Sequence, residues 1–185
     1  MQITKNFRTD HEFIIQFLNV LDGGSTILMS SKRANPRFFI LAQTFIKEFI
    51  EEDYFKKEEL LIQALADSGF PSDDGPISAL HAEQQKSHED GEHLLNAAKG
   101  WQAGDLEARG EVIWAASDYT STLRQHIDRL KNRIFPLLEQ NISPEDEHKI
   151  EDGLTAIVLE SSTKDDADKF SKIVRTLEEE LRDWK

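Results

Sequence analysis

Six side chains able to bind a metal or hold a proton fall where apolar residues would be expected. His11, Tyr54, Glu58, Gln84, His88 and His126 all sit on helical stripes whose other members are mostly apolar. A buried polar group without a partner costs roughly 1–3 kcal/mol, and a buried charge costs more, so these residues must find partners. They come from four separate helical segments, and a bundle-core metal site draws its ligands from facing helices in that way. Imidazole, carboxylate and phenolate donors suit iron and similar cations. The same residues also fit a metal-free network, in which Glu58 is the ion-pair partner of a protonated His11 or His126 and Tyr54 donates a hydrogen bond. His88 stands four residues beyond Gln84, one turn along. It either joins Glu58 and His126 in a displaced site or is a partly exposed, hydrogen-bonded histidine.

The elements that carry these residues are marked by their stops. Asn35-Pro36 opens a helix with proline suited to the first position. The loop Ser68 to Pro76 and the corner Gly100 to Gly104 separate three further segments. Ser143-Pro144-Glu145-Asp146 supplies an N-cap, a first-turn proline and an acidic residue three places on. Asp22-Gly23-Gly24 is expected to bend or interrupt the first helix. Between stops the apolar period is helical: Ala42, Ile46, Ile50, Tyr54, Glu58, Leu61 and Leu65 form one stripe. Ile77, Leu80, Gln84, His88, Gly91 and Leu95 form another, and Val112, Ala116, Tyr119, Leu123, His126, Leu130 and Ile134 a third. No period-two strand is evident, which predicts an all-α fold with helices near 7–31, 36–67, 76–101, 104–140 and 144–184. The last is charged but keeps an apolar face, with a break expected at Ser161 to Asp165. Trp101 and Trp114 are expected to pack at a bundle corner, Trp184 to cover an edge, and Glu59, Glu83, His81, His93 and His148 to face solvent.

With 185 residues, one domain spanning 1–185 is expected, a core bundle over about 1–140 with a C-terminal packing helix over about 144–184. A formal charge of −13 argues against nucleic acid and anionic membrane surfaces as partners. The basic runs Lys56-Lys57 and Arg124 to Arg133 interleave with apolar positions and read as solvated helix faces. The absence of cysteine excludes disulfides, zinc-thiolate sites and thiol catalysis. No signal peptide or membrane-spanning run is apparent, so a cytoplasmic protein is expected.

Four short pieces carry a resemblance that covers nearly the whole chain: Asp10-His11-Glu12, Lys57-Glu58-Glu59-Leu60-Leu61, Gly75-Pro76-Ile77 and His126-Ile127-Asp128-Arg129, the last followed by Phe135-Pro136. Their order and spacing resemble the hemerythrin-like (HHE) domain family. That resemblance implies an antiparallel four-helix bundle with an additional C-terminal helix, whose helices turn ligands inward onto a two-iron centre. The sequence departs from the family pattern at Tyr54, Phe55 and Gln84, where the family has histidine, and at Leu130, where it has glutamate. The ligands the resemblance leaves are His11, Glu58 and His126, with Tyr54 as an oxygen ligand for ferric iron, Gln84 as a weak carbonyl and His88 as a substitute.

The expectation is therefore one iron ion in place of two, with dioxygen, nitric oxide or peroxide as the small ligand to be sensed, stored or reacted with. The alternative is a metal-free hemerythrin-fold protein that binds a small ligand or serves as a structural or interaction module. A redox or hydrolytic enzyme ranks below both, because no residue pattern specifies a substrate.

Overall fold

The first helix, α1, spans Gln2–Ile27 and buries Ile3, Phe7, His11, Ile14, Leu18 and Leu21, the three-and-four spacing of one inward face. It begins five residues earlier than the sequence predicts, because Ile3 and Phe7 extend that face. Gly23 and Gly24 do not interrupt it. A Cβ on Gly24 would meet the Phe38 ring at 2.6 Å and one on Gly23 would meet Leu181 at 2.9 Å, so these glycines admit neighbouring side chains to the helix surface. The computed structural model describes residues 1–164 and 168–185.

Asn35 caps the next helix, its side chain accepting from the Arg37 N–H, and Pro36 takes the first turn. This segment is α2 (Pro36–Phe45), then a nine-residue π stretch (Ile46–Tyr54), then α3 (Phe55–Asp67). Gly69 at φ 97° ends it in the left-handed conformation. Asp74 caps α4 (Gly75–Gln102). Gly104, at φ 101°, and the cap Asp105 then set the start of α5 (Leu106–Arg129), two residues after the predicted position. A second π turn, Leu130–Ile134, leads into α6 (Phe135–Asn141), where Pro136 removes a backbone donor from the first turn. Tyr54 thus ends the first π stretch and the second begins one turn after His126, a local widening common at functional sites.

The chain is all-helical, and no described residue lies in a strand. α5 runs along α4 and α1, and α2 packs on α4, which gives the expected bundle. Ser143 caps α7 (Pro144–Lys164), which lies against α3. α7 continues through Ser161 to Lys164, where a break was expected, and Asp165 lies outside the described residues. α8 (Lys169–Trp184) crosses α1 and α2, burying Ile173, Val174, Leu177 and Trp184. The Trp184 ring lies tilted against Phe38 with centroids 4.7 Å apart, so it covers an edge as expected. Trp101 is half-buried beneath the Arg109 guanidinium, but Trp114 is 71 % exposed and packs at no corner. Among the described residues no helix is long and apolar enough to cross a membrane.

Candidate functional site

Among the described residues the buried histidines and the buried carboxylate, His11, His126 and Glu58, share one level of the bundle interior. α1 brings His11 there, the end of the first π stretch brings Tyr54, and the first turn of α3 brings Glu58. Tyr54 and Glu58 are four apart and share a face. α4 contributes Glu83 and Gln84, α5 contributes His126 and Arg129, and the second π turn begins at Leu130. His11, Tyr54, Glu58, His126 and Leu130 are all buried, Glu58 completely.

These residues form a continuous set of short contacts. The Tyr54 hydroxyl lies 2.6 Å from His11 Nε2. Glu58 presents both oxygens to His126 Nε2, each at 2.8 Å, and accepts a further bond from Gln84 Nε2 at 2.8 Å. The other nitrogen of His126, Nδ1, lies 2.8 Å from Glu83 Oε2, and Glu83 Oε1 accepts from Arg129 Nε at 2.7 Å. Aromatic rings close the sides: Phe135 stacks on His11 with centroids 5.8 Å apart, and Phe55 meets His126 edge-on at 5.7 Å.

The two histidines are driven in opposite directions. Burial opposes a charge on both. At His11 burial wins, with the His126 and Lys131 charges adding to it against Glu58, and the pKa falls from 6.5 to about 4. At His126 the carboxylates of Glu58 and Glu83 together outweigh burial and raise it from 6.5 to about 9. His126 is therefore an imidazolium donating from both nitrogens, and His11 is neutral. Burial, reinforced by the charge of Glu58, raises the Tyr54 hydroxyl well above its ordinary 10.0, so it stays protonated. A phenol is a better donor than a neutral imidazole N–H, and imidazole nitrogen a better acceptor than phenol oxygen. Glu58 stands one turn along and competes for the hydroxyl, but the short contact is to His11. We assign the hydroxyl as donor to Nε2, which leaves the His11 proton on Nδ1. Formal charges balance: Glu58 and Glu83 against His126 and Arg129.

The donors at this level do not fit a two-metal centre. Leu130, where the family resemblance implies a glutamate, is apolar and fully buried. Among the described residues no group of three or more histidine, aspartate or glutamate side chains stands together so as to hold an ion. A cation reaching His126 through Nε2 must first displace a proton held at about 9, which at neutral pH costs about 3 kcal/mol.

His88 is not part of the cluster. Its Nδ1 lies 3.1 Å from Glu51 and its side chain is 45 % exposed. Beyond Gln84 the inward face of α4 passes through Ser87, Gly91, Leu94 and Ala98, in steps of three and four, and leaves His88 at its edge. Glu83, expected in solvent, is 14 % exposed and clamps His126. The sequence signal for it was Arg129, one turn beyond His126, which needs an acidic partner on the facing helix. Lys57 likewise lies largely out of solvent, bridging Asp10 at 3.0 Å and Asp53 at 3.2 Å, and so ties α3 to α1. Glu59, His81, His93 and His148 are exposed as expected.

Comparison with known families finds that the model for the hemerythrin HHE cation binding domain matches residues 2–138. No curated protein and no solved structure matches the chain.

Proposed function

The chain belongs to the hemerythrin HHE cation binding domain family, and from that premise we propose that its centre holds protons where the family holds metals, and that it works as a small-ligand-binding or interaction module. One observation carries this reading. Of the three positions where the family resemblance expects histidine, two now hydrogen-bond a ligand position that has survived: the Tyr54 hydroxyl, assigned as donor, lies 2.6 Å from His11 Nε2, and Gln84 donates to Glu58 Oε2, while Phe55 packs edge-on against His126. A lone pair can be given to a metal or to a proton, and these donors present a proton. The fixed positive charge that Glu58 requires comes from His126. The proposal includes one domain over 1–185 and a cytoplasmic setting.

The test is metal analysis of protein purified from iron-supplied cells, repeated after anaerobic reconstitution with ferrous iron. Substoichiometric iron in both samples is the expected result. Iron near one equivalent overturns the proton-held centre.

The pairing of Glu83 with His126 Nδ1 favours a second reading, because a metal-bound histidine characteristically donates its far N–H to a carboxylate. In it a single iron ion takes Glu58, His126 and His11, with Tyr54 and Gln84 as weaker oxygen donors, and presents an open position to dioxygen, nitric oxide or peroxide. The same metal analysis separates the two readings.

A further inference from the structure

The second π turn and α6 face a part of α4 built from small residues. Arg129 ends α5, Arg133 lies in the π turn and Leu137 in α6, so the three recur every four residues, with Ile134 beside them. Opposite stand Gly75, Pro76 and Ala79 at the start of α4. Gly75 sits at φ 69°, and a Cβ built on it would meet nothing within 4 Å. Large side chains on one wall and small ones on the other leave a cavity of about 550 Å³ between them. Its mouth is open to solvent, because Arg133 is exposed and Arg129, Pro76, Ala79 and Leu137 are only half-buried.

The lining is apolar apart from two guanidinium groups. Pro76, Ala79, Ile134 and Leu137 form the walls, and no carboxylate of a described residue lines the space. The cavity beside His11 differs in this, because Glu12 and Glu139 line it together with Arg8 and Lys131. Arg129 is also held still. Its Nε donates to Glu83 Oε1 at 2.7 Å, and Glu83 is anchored in turn by His126 Nδ1 at 2.8 Å. That bond orients the guanidinium plane and leaves its Nη1/Nη2 edge, a pair of parallel N–H donors that matches a carboxylate. Glu83 already offsets the charge of Arg129, so the charge left in the lining is that of Arg133. A monoanion balances it, and a phosphate dianion overshoots it. The volume exceeds what an inorganic ion fills and falls within the range of about 300–1,000 Å³ that encloses organic ligands.

We propose that this cavity binds a medium-chain aliphatic carboxylate, its head on the Nη edge of Arg129 and on Arg133. The chain then lies along Pro76, Ala79, Ile134 and Leu137. No aromatic ring lines the cavity, so nothing there favours a flat, stacking ligand over a flexible hydrocarbon. The site gives the small-ligand reading above its ligand class and rests on that reading, but none of its lining residues is a candidate metal ligand.

The experiment is calorimetric titration of the full-length protein with sodium octanoate below its micellar concentration. Acetate supplies the head alone and 1-octanol the body alone. The Arg129 Nε–Hε cross-peak is followed by ¹H–¹⁵N correlation in the same titration. The expected result is saturable one-site binding that moves this cross-peak, with acetate and octanol each at least about tenfold weaker. Arg133→Ala should weaken octanoate about tenfold, and Ala79→Phe, which fills the cavity from the α4 side, should abolish binding. Arg133 is exposed, so its variant retains the fold and decides the matter should Ala79→Phe fail to fold. No saturable binding up to millimolar octanoate overturns the site, as does acetate binding equally well. An affinity unchanged in Arg133→Ala, or an Arg129 cross-peak that stays in place, overturns it too. Metal content is measured on the same sample. Iron near one equivalent with octanoate bound sinks the proton-held centre and leaves this site standing, and no iron with no octanoate response sinks this site alone.

Discussion

Raising the pH through the titration of His126 should destabilise the protein while nothing else buried titrates. The folded-state pKa is raised from 6.5 to about 9. A raised pKa means that the native state holds the proton more tightly than the unfolded chain. The stabilisation is therefore fully present below pH 6.5 and is lost as the pH rises through about 9. The difference of about 2.5 units corresponds to about 3 kcal/mol at 1.36 kcal/mol per unit. His126 is 1 % exposed, so solvent screening does not reduce this figure. For a chain of this length that is a fall in Tm of about 6–12 °C. The window is clean on its upper side, because burial holds Tyr54 and Tyr119 well above 10.0. Lys57 is also out of range: burial opposes its charge, but Asp10 and Asp53 outweigh it and raise it above 10.5. Urea unfolding at several pH values from 6.5 to 9.5, at constant ionic strength, measures the slope. His126→Gln should flatten it. Stability that stays level across this range refutes the buried imidazolium, as does an identical slope in the variant. Should the variant fail to fold, imidazole NMR of the parent decides: a His126 titration below about pH 7.5 refutes the same claim.

Below pH 6.5 the sign reverses, because His11 is held neutral with a pKa near 4; stability should fall as pH drops from 6.5 towards 4, by up to about 3 kcal/mol, and His11→Asn should blunt that limb in a urea series. Tyr54→Phe removes the hydroxyl bonded to His11 Nε2 and should cost about 1–3 kcal/mol by chemical denaturation, with a neutral result showing that the hydroxyl does not matter to the fold. Gly24→Ala should lower Tm, because its Cβ would meet Phe38 at 2.6 Å, whereas Gly110→Ala, in open space on α5, should raise stability by about 0.5–1 kcal/mol. Leu130→Glu alone should destabilise by burying a carboxylate, but Tyr54→His/Gln84→His/Leu130→Glu should bind ferrous iron and gain Tm with it; a folded triple variant that binds none would show that these positions do not surround one site.

The helices were legible because their ends are written in local chemistry. Asn35-Pro36, Asp74 before Gly75-Pro76 and Gly104-Asp105 each satisfy or remove backbone groups whatever the tertiary context. The π turns were not legible, because a shift from four-residue to five-residue hydrogen bonding leaves the composition of a stripe unchanged. Their effect is rotational. Glu83 was misread because it sits one position from the edge of a face, where a phase error of one residue exchanges inside for outside, and His88, at the same edge, takes the partly exposed, hydrogen-bonded one of its two readings. Gly23-Gly24 looked like a break because glycine destabilises an isolated helix, yet here it admits Phe38 and Leu181 to close contact.

The substitutions at the centre make physical sense only as a set. Deleting metal from the centre that the family resemblance implies would leave several imidazoles and two carboxylates facing one another in a dry interior, with repulsion within each set. Leu130, where the resemblance implies a glutamate, puts a buried apolar side chain in place of a negative charge. Tyr54 supplies a proton that does not ionise near neutrality, and Gln84 supplies an amide N–H with no charge at all. One carboxylate, Glu58, then remains on the inner face. A single imidazolium neutralises it and is steadied from behind by Glu83, whose own charge is met by Arg129. Undoing any one change alone should therefore be worse than undoing them together, because each intermediate strands a charge or a lone pair. Double-mutant cycles between positions 84 and 130 test this directly: additive effects on stability would mean that the substitutions are independent and that the centre is not one cooperative network.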